Sequence, residues 1–192
     1  MSCGQRNSRH SKGGRFVRHL QTPIDEATRL ALRVGEEVML SGIIYTARDQ
    51  AHKRLVESLN KQEPLPFQFA GQVVYYTGPT PAKLGHPIGS CGPTSSYRMD
   101  PYSIILMNAG LKIMIGKGNR SEEFRRSLIQ TKSVYLVAVG GIGALLSKTV
   151  KTAKLIAYPD LQSEAVVEFE VENFPVIVAT DSVGNDLFDR SN

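Results

Sequence analysis

Three basic residues each stand at a strand-to-helix or glycine-rich junction of the sequence. Arg48 lies in "YTARD", Arg98 in "GPTSSYRMD" and Lys117 in "IGKGN". In α/β folds such junctions gather at one edge of the sheet, where ligands bind. The planar guanidinium donates two parallel hydrogen bonds to a carboxylate, and a lysine adds a point charge. If the three converge, they form a site for a small dianion, a dicarboxylate or a phosphate. Otherwise they are solvated surface bases, paired locally with Asp49 and Asp100.

The loop "GHPIGSCGPTSSYRMD", residues 85–100, holds two further candidates for chemistry. Cys91 has no base near it in sequence, and free cysteine is often a small buried apolar residue, so we favour a packing role over a nucleophile or metal ligand. A helix is predicted after this loop, with Thr94 or Ser95 at its cap and its first amides directed at the site. The chemistry of the loop is therefore expected to rest on Thr94 and Arg98.

Two other motifs carry weaker signals. His52 follows Arg48 by four residues, so both can share one helix face; the favoured interpretation is a solvent-facing histidine, and the alternative is a member of the site. The segment "GGIGAL", residues 140–145, lacks the G-x-G-x-x-G spacing and the later acidic residue of a dinucleotide site. It predicts a glycine turn that lets a helix pack closely on the sheet.

The composition is that of one globular domain. The chain has 192 residues, of which 41% are hydrophobic and 21% charged. No apolar run is long enough to span a membrane, and no apolar segment follows the N-terminal charges as a secretory signal requires. We therefore expect a cytoplasmic protein without a membrane partner.

The formal net charge of +5 belongs to the first 18 residues, which contain five basic residues and no acidic one. We predict a basic, disordered tail over residues 1–18 and a single domain over residues 19–192. Because that domain is neutral and lacks a basic stripe, a nucleic-acid partner is not expected.

The cysteines exclude several kinds of site. Cys3 and Cys91 cannot form a disulfide framework, and two thiolates cannot hold an iron–sulfur cluster, which needs three or four. The four histidines lack metal-ligand spacing, so no metal ligands are assigned to this chain.

The order of elements predicts a mixed α/β domain with a single mixed sheet. Apolar segments indicate strands at residues 18–24, 37–47, 71–79, 111–117 and 133–140, and three further strands at 153–160, 165–173 and 174–182. An amphipathic helix is predicted over residues 48–62, and another from Ser121, with a capping box at its start. The last strands predict an antiparallel pair near the C-terminal end.

Several of these stretches together resemble the β subunit, or C-terminal domain, of iron–sulfur-dependent class I fumarate hydratases and the related L-tartrate dehydratases. The matching stretches are "VGEEVMLSGIIYTARDQAHKRL", "YYTGPTPAKLGHPIGSCGPTSSYRMDPY", "GLKIMIGKGN", "VYLVAVGGIGALLSK" and "FPVIVATDSVGNDL". They cover most of residues 19–188.

The resemblance implies a swivelling β/β/α domain that closes over a 4Fe-4S cluster held by a partner α subunit, with two copies of each subunit. The family's substrate-binding cations fall on Arg48, Arg98 and Lys117, and its candidate proton-transfer threonine falls on Thr94. The implied activity is the reversible dehydration of (S)-malate to fumarate, with L(+)-tartrate as the alternative substrate. A non-catalytic anion-binding module built on the same domain is the competing interpretation.

Overall fold

A computed structural model describes residues 9–12, 15–138 and 143–189 of the chain. The strands are β1 (Arg9–Lys12), β2 (Arg15–Gln21), β3 (Glu37–Thr46), β4 (Val73–Tyr75), β5 (Ile113–Gly116), β6 (Val134–Ala138), β7 (Val150–Ala157) and β8 (Val166–Thr180). The α-helices are α1 (Glu26–Leu30), α2 (Asp49–Asn60), α3 (Asp100–Asn108), α4 (Glu122–Gln130) and α5 (Gly143–Ser147), and 3₁₀ helices span Ser96–Met99 and Pro159–Glu164.

The strands form one mixed sheet that closes on itself. β3, β4, β5 and β6 are neighbours and run parallel, and β8 pairs antiparallel with β6 on one side and with β3 on the other. These five strands make a barrel-like ring. β1 and β2 extend the sheet beside β3, and β7 pairs antiparallel with β8. The predicted mixed-sheet α/β fold is confirmed, as is the antiparallel pair near the C-terminal end.

Alternate residues of the central strands serve two different cores, because successive side chains of a strand point to opposite faces. Tyr75, Ile115 and Leu136 are buried inside the ring, whereas their neighbours Met114 and Tyr135 are buried beneath the helices. Both faces of β4, β5 and β6 are therefore apolar, as is typical of parallel strands.

The helices α2, α3 and α4 cover the outer face of the ring. α2 buries Ala51, Leu55 and Val56 on one face, which confirms the predicted amphipathic helix. α4 begins where Ser121 Oγ accepts a hydrogen bond from the amide of Phe124. Because the third helical residue is Phe124, the reciprocal half of the predicted capping box is missing.

Two predicted elements differ from the structure. The strands expected at residues 165–173 and 174–182 form the single strand β8, in which Asn173 adopts a left-handed conformation (φ 53°). The amide of Asn173 donates to Ser41 Oγ, beside the register shift of β3 between Leu40 and Gly42. The polar "VENFP" is therefore a bulge within one strand, although its composition is that of a turn.

The helix predicted from Thr94 also starts differently. A 3₁₀ turn at Ser96–Met99 leads into α3, and neither the residue before that turn nor the one before α3 caps its helix with a side chain. Pro101 in the first turn of α3 lacks the amide that a cap would satisfy. Thr94 and Ser95 are therefore not side-chain caps.

The predicted tail lies partly outside the described residues, which exclude 1–8 and 13–14. Residues 9–12 form β1, and residues 15–18 belong to β2, whose Val17 pairs with Glu37 of β3. Within residues 9–12, 15–138 and 143–189, every helix is too short or too polar to cross a bilayer.

Candidate active site

Parallel strands bring two of the predicted basic residues to the same edge of the sheet. Tyr45 of β3 is paired with Val74 of β4, and Tyr75 of β4 with Ile115 of β5, so the carboxyl ends of these strands are level. Arg48 follows the end of β3, and Lys117 comes directly after β5. The edge where ligands bind in open α/β sheets thus carries both cations.

The loop between β4 and α3 brings Thr94 to that edge. The amide of Thr94 donates to the carbonyl of Tyr76 at 2.7 Å, and Ser95 forms a β-bridge with Lys117. The loop therefore runs along the ends of β4 and β5 before it turns into the 3₁₀ helix that carries Arg98.

Ser96 joins this loop to the lysine segment. Its amide donates to the carbonyl of Lys117 at 3.2 Å, and its Oγ accepts from the amide of Lys117 at 2.9 Å. A Cβ atom on Gly116 would lie 1.8 Å from Ser96 Oγ, so only glycine permits this approach. Sequence analysis did not single out Ser96; the signal was the glycine before Lys117.

Arg98 and Arg48 meet on one carboxylate, Asp49. Arg98 donates to it twice, from Nε to Oδ1 at 3.0 Å and from Nη2 to Oδ2 at 2.7 Å. Arg48 Nε donates to the same Oδ2 at 3.4 Å. The two arginines therefore converge. Asp49 pairs with both arginines, as expected if they were surface bases with local ion pairs. It also links the two arginines to each other.

A second carboxylate, missed by sequence analysis, reaches Arg48 from the 3₁₀ helix before β8. Glu164 Oε1 lies 2.8 Å from Arg48 Nε in an ion pair. Three cations and two carboxylates leave this edge with one net positive charge. Lys117 is exposed and forms no ion pair within residues 9–12, 15–138 and 143–189.

Asp100 does not pair with the site, contrary to the expectation that it would neutralise a surface base there. Its Oδ1 accepts from Arg120 Nε at 2.6 Å, and its Oδ2 accepts from the amide of Ser121 at 2.7 Å. The Arg120 guanidinium lies 3.4 Å from the ring centroid of Phe124 and is almost fully buried. This pair ties the start of α3 to the start of α4, directly behind the site.

His52 is completely buried, so the favoured solvent-facing interpretation is wrong. Its Nδ1 lies 3.0 Å from the carbonyl of Arg48, and because a carbonyl only accepts, Nδ1 carries the proton. Burial lowers the pKa of His52 to about 4. A neutral imidazole thus donates a hydrogen bond to the backbone carbonyl of Arg48.

Cys91 is buried as well, in agreement with its predicted packing role. Burial raises the pKa of its thiol to about 12, so the thiolate needed for attack or ligation is absent at neutral pH. Its amide donates to the carbonyl of Gly143, where an added Cβ would lie 2.4 Å from the nitrogen of Gly92. The last glycine of "GGIGAL" thus permits close packing of α5 against this loop; residues 139–142 lie outside the described residues.

The described residues do not fit a metal cluster. No group of three or more His, Cys, Asp or Glu side chains comes together within residues 9–12, 15–138 and 143–189. The described cysteine is the buried Cys91, and Cys3 lies outside that part of the chain.

Comparison with known proteins shows the family of the chain. The profile of the family described as Fumarase C-terminus matches residues 5–191. The chain belongs to this family. It is 36% identical to fumarate hydratase 2 of Leishmania major over 176 residues, which are 90% of this chain and 31% of that protein. It is 37% identical to the anaerobic class I fumarate hydratase of Escherichia coli K12 over 159 residues, 82% of this chain and 29% of that protein.

A third relative has a similar length. A Methanocaldococcus jannaschii protein, provisionally named L(+)-tartrate dehydratase subunit beta, is 39% identical over 167 residues, 84% of this chain and 86% of that protein. The chain therefore spans less than a third of the fumarate hydratases named above and most of this subunit. The Fumarase C-terminus family is one of hydro-lyases.

Proposed function

We propose that this chain is the β subunit of a heteromeric hydro-lyase that interconverts (S)-malate and fumarate. Its part is to bind the substrate carboxylates with Arg48, Arg98 and Lys117. The observation that carries the proposal is the convergence of these residues: the arginines share Asp49, and Ser96 fastens the lysine segment to the arginine loop.

Cations suit this chemistry because of where charge develops. Dehydration removes a proton from the carbon beside a carboxylate, and the resulting aci-carboxylate carries more negative charge than the ground state. Arg and Lys groups directed at that carboxylate stabilise the transition state more than the substrate. A site with one net positive charge becomes electrostatically complementary to that growing charge.

Thr94 is the proposed proton-transfer residue, with its partner acid on the other subunit. Its backbone is fixed by the 2.7 Å hydrogen bond to Tyr76 at the end of β4. A free hydroxyl is a weak base, so Thr94 requires activation by the neighbouring cations or by the substrate.

The 4Fe-4S cluster of the proposed enzyme belongs to a partner α subunit, in an assembly with two copies of each chain. The donor set of the described residues does not fit such a cluster, so we derive no step through it. A separate partner is supported by the name of one relative, an L(+)-tartrate dehydratase subunit beta to which this chain is 39% identical. The cytoplasmic location stays a prediction.

The test is anaerobic co-expression with the neighbouring α-subunit gene, followed by assays on malate, fumarate and L-tartrate. The complex should turn over malate and fumarate, and this chain alone should be colourless and inactive. Thr94→Ala should remove most of the activity and Thr94→Ser should restore much of it. Four iron and four sulfide bound per isolated chain would contradict the assignment of the cluster.

L(+)-tartrate is the alternative substrate. The 39% identity to the M. jannaschii protein, which is named for L(+)-tartrate, supports it, and tartrate is also a four-carbon dicarboxylate that fits the same cations. A complex that turns over tartrate faster than malate would select it. An isolated chain that binds dicarboxylates and never associates with an α subunit would instead support the anion-binding module.

A further inference from the structure

We propose that Glu164 is a positioning residue that orients Arg48 for the substrate carboxylate. This inference rests on the proposed function for the identity of the ligand. Its structural part, the hold of Glu164 on Arg48, stands on contacts within the chain.

The Arg48 guanidinium is fixed from several sides. Glu164 Oε1 lies 2.8 Å from its Nε, and Asp49 Oδ2 accepts from the same Nε at 3.4 Å. A Cβ atom on Gly78 would lie 3.0 Å from both Cδ and Nη1 of Arg48 and 2.8 Å from the carbonyl oxygen of Ser163. The side chain thus lies against the backbone of Gly78, beside the turn that delivers Glu164.

Contacts with α2 hold that turn in place. Tyr158 (φ 60°, ψ 52°) is in the left-handed region, and Gln162 (φ 52°, ψ −114°) lies outside the regions that non-glycine residues favour. Asp160 accepts two hydrogen bonds from Arg54 of α2, and the Arg54 guanidinium lies 5.3 Å from the ring centroid of Tyr158. α2 begins beside Arg48, so a single helix anchors both the arginine and the turn.

The placement of the two carboxylates decides which end of Arg48 is left for a ligand. Both approach Nε, and within residues 9–12, 15–138 and 143–189 neither Nη1 nor Nη2 forms a hydrogen bond. These two nitrogens form the fork that binds a carboxylate with two parallel hydrogen bonds. Arg48 and Glu164 are 26% and 20% exposed, so their attraction is screened less than that of a pair in open water.

The hold on Arg48 is measured first, on the isolated full chain and without any assay of activity. In ¹⁵N-arginine-labelled protein, the Nε–H signal of Arg48, assigned by its loss in Arg48→Lys, should show the heteronuclear NOE of a rigid group. Glu164→Ala should lower that NOE toward the value of an exposed arginine. Glu172→Ala is the matched control. Glu172 lies in β8 and forms an ion pair with Lys151 of the neighbouring strand β7, and it does not contact Arg48. An unchanged NOE in Glu164→Ala would overturn the proposal.

Turnover of the reconstituted complex is the second measurement. Glu164→Ala should lower kcat/KM about tenfold, mainly through KM, whereas Glu164→Gln, which keeps an oxygen at that position, should lose about threefold. In an Arg48→Ala background, Glu164→Ala should have no further effect, a result that a merely structural role would not give. Asp160→Asn, which loosens the turn, should reproduce part of the loss, and Glu172→Ala should change kcat/KM less than twofold.

The outcomes separate this inference from the proposed function. A KM that falls in Glu164→Ala would show that Glu164 competes with the substrate, and the positioning role would be wrong. If the NOE responds but the wild-type complex turns over none of the three substrates, the proposed function fails while the hold of Glu164 on Arg48 remains.

Discussion

Two arginine–aspartate pairs, which include Arg98 and Asp100 at either end of one short turn, have opposite surroundings. In the pair Arg98–Asp49 the side chains are 43% and 22% exposed, whereas in Arg120–Asp100 they are 1% and 7% exposed. The exposed pair can exchange its partner for a ligand at small cost, because water already screens it. The buried pair cannot, because either charge left alone would remain in an apolar environment. Burial thus distinguishes the arginine proposed to bind substrate from the arginine that holds two helices together.

The buried pair should give the largest effect on stability. Arg120→Ala leaves Asp100 uncompensated and removes the guanidinium from the ring of Phe124, so the free energy of unfolding should fall by roughly 3–5 kcal/mol. Urea denaturation of the isolated chain measures it. Arg120→Met combined with Asp100→Asn should recover much of the loss; a single variant as stable as the wild type would break the comparison.

The exposed pair should give the opposite pattern. Arg98→Ala should leave the melting temperature nearly unchanged but raise the activation free energy of the reconstituted complex by roughly 2–4 kcal/mol, because a charge-assisted contact in the transition state is lost. Steady-state kinetics with malate and fumarate measure this effect. Equal losses of stability in Arg98→Ala and Arg120→Ala would show that the two pairs contribute equally to the stability of the fold.

His52 extends the comparison to a buried group that titrates. Its folded-state pKa of about 4 lies below the unfolded value near 6.5, so the unfolded chain binds the proton more readily and stability falls as the pH drops. Between pH 7 and pH 5 this should cost about 2 kcal/mol. The difference in unfolding free energy between those pH values, compared with the same difference in His52→Gln, isolates the contribution. Identical pH dependence in both proteins would place His52 in water.

Cys91 should give the smallest effect. Cys91→Ser keeps the size of the side chain in a packed loop and removes a thiol that is already protonated, so turnover of the complex should change less than about tenfold. Thr94→Ala, at matched cluster content, provides the contrast. An inactive Cys91→Ser beside an active Thr94→Ala would reverse the assignment of chemistry within this loop.

Local patterns predicted most of what the structure contains near the site. Arg48, Arg98 and Lys117 could be selected because each lies at a strand-to-helix or glycine-rich junction, a signal contained in a few neighbouring residues. Glu164 could not, because it meets Arg48 only after the chain has crossed the sheet several times. Its sequence neighbourhood, "PDLQSEA", has the composition of an ordinary turn.

Burial was harder to predict than secondary structure. His52 shares the polar spacing of a solvated helix face, but it is fully buried, and the ring of Tyr76 packs against it with 5.0 Å between the ring centroids. Asp100 was expected to pair with a surface base. Its burial depends on Arg120, twenty residues away, and on three aromatic rings around that guanidinium. Such compensation is a property of the folded chain and has no local signal.

Because β8 closes the ring, the ring cannot close until the C-terminal part of the chain has been synthesised. β3 pairs with β8 through contacts such as Glu37 with Ile177, which join the first part of the fold to the last. A ribosome-bound chain that ends before residue 166 can align β3 to β6 but leaves two open strand edges, and its inner core, including Tyr75 and Leu136, lacks the cover of Phe169 and Phe174. Contacts so distant in sequence slow folding, and open apolar edges favour aggregation. The nascent chain therefore exposes both edges and part of its inner core until its final long strand emerges.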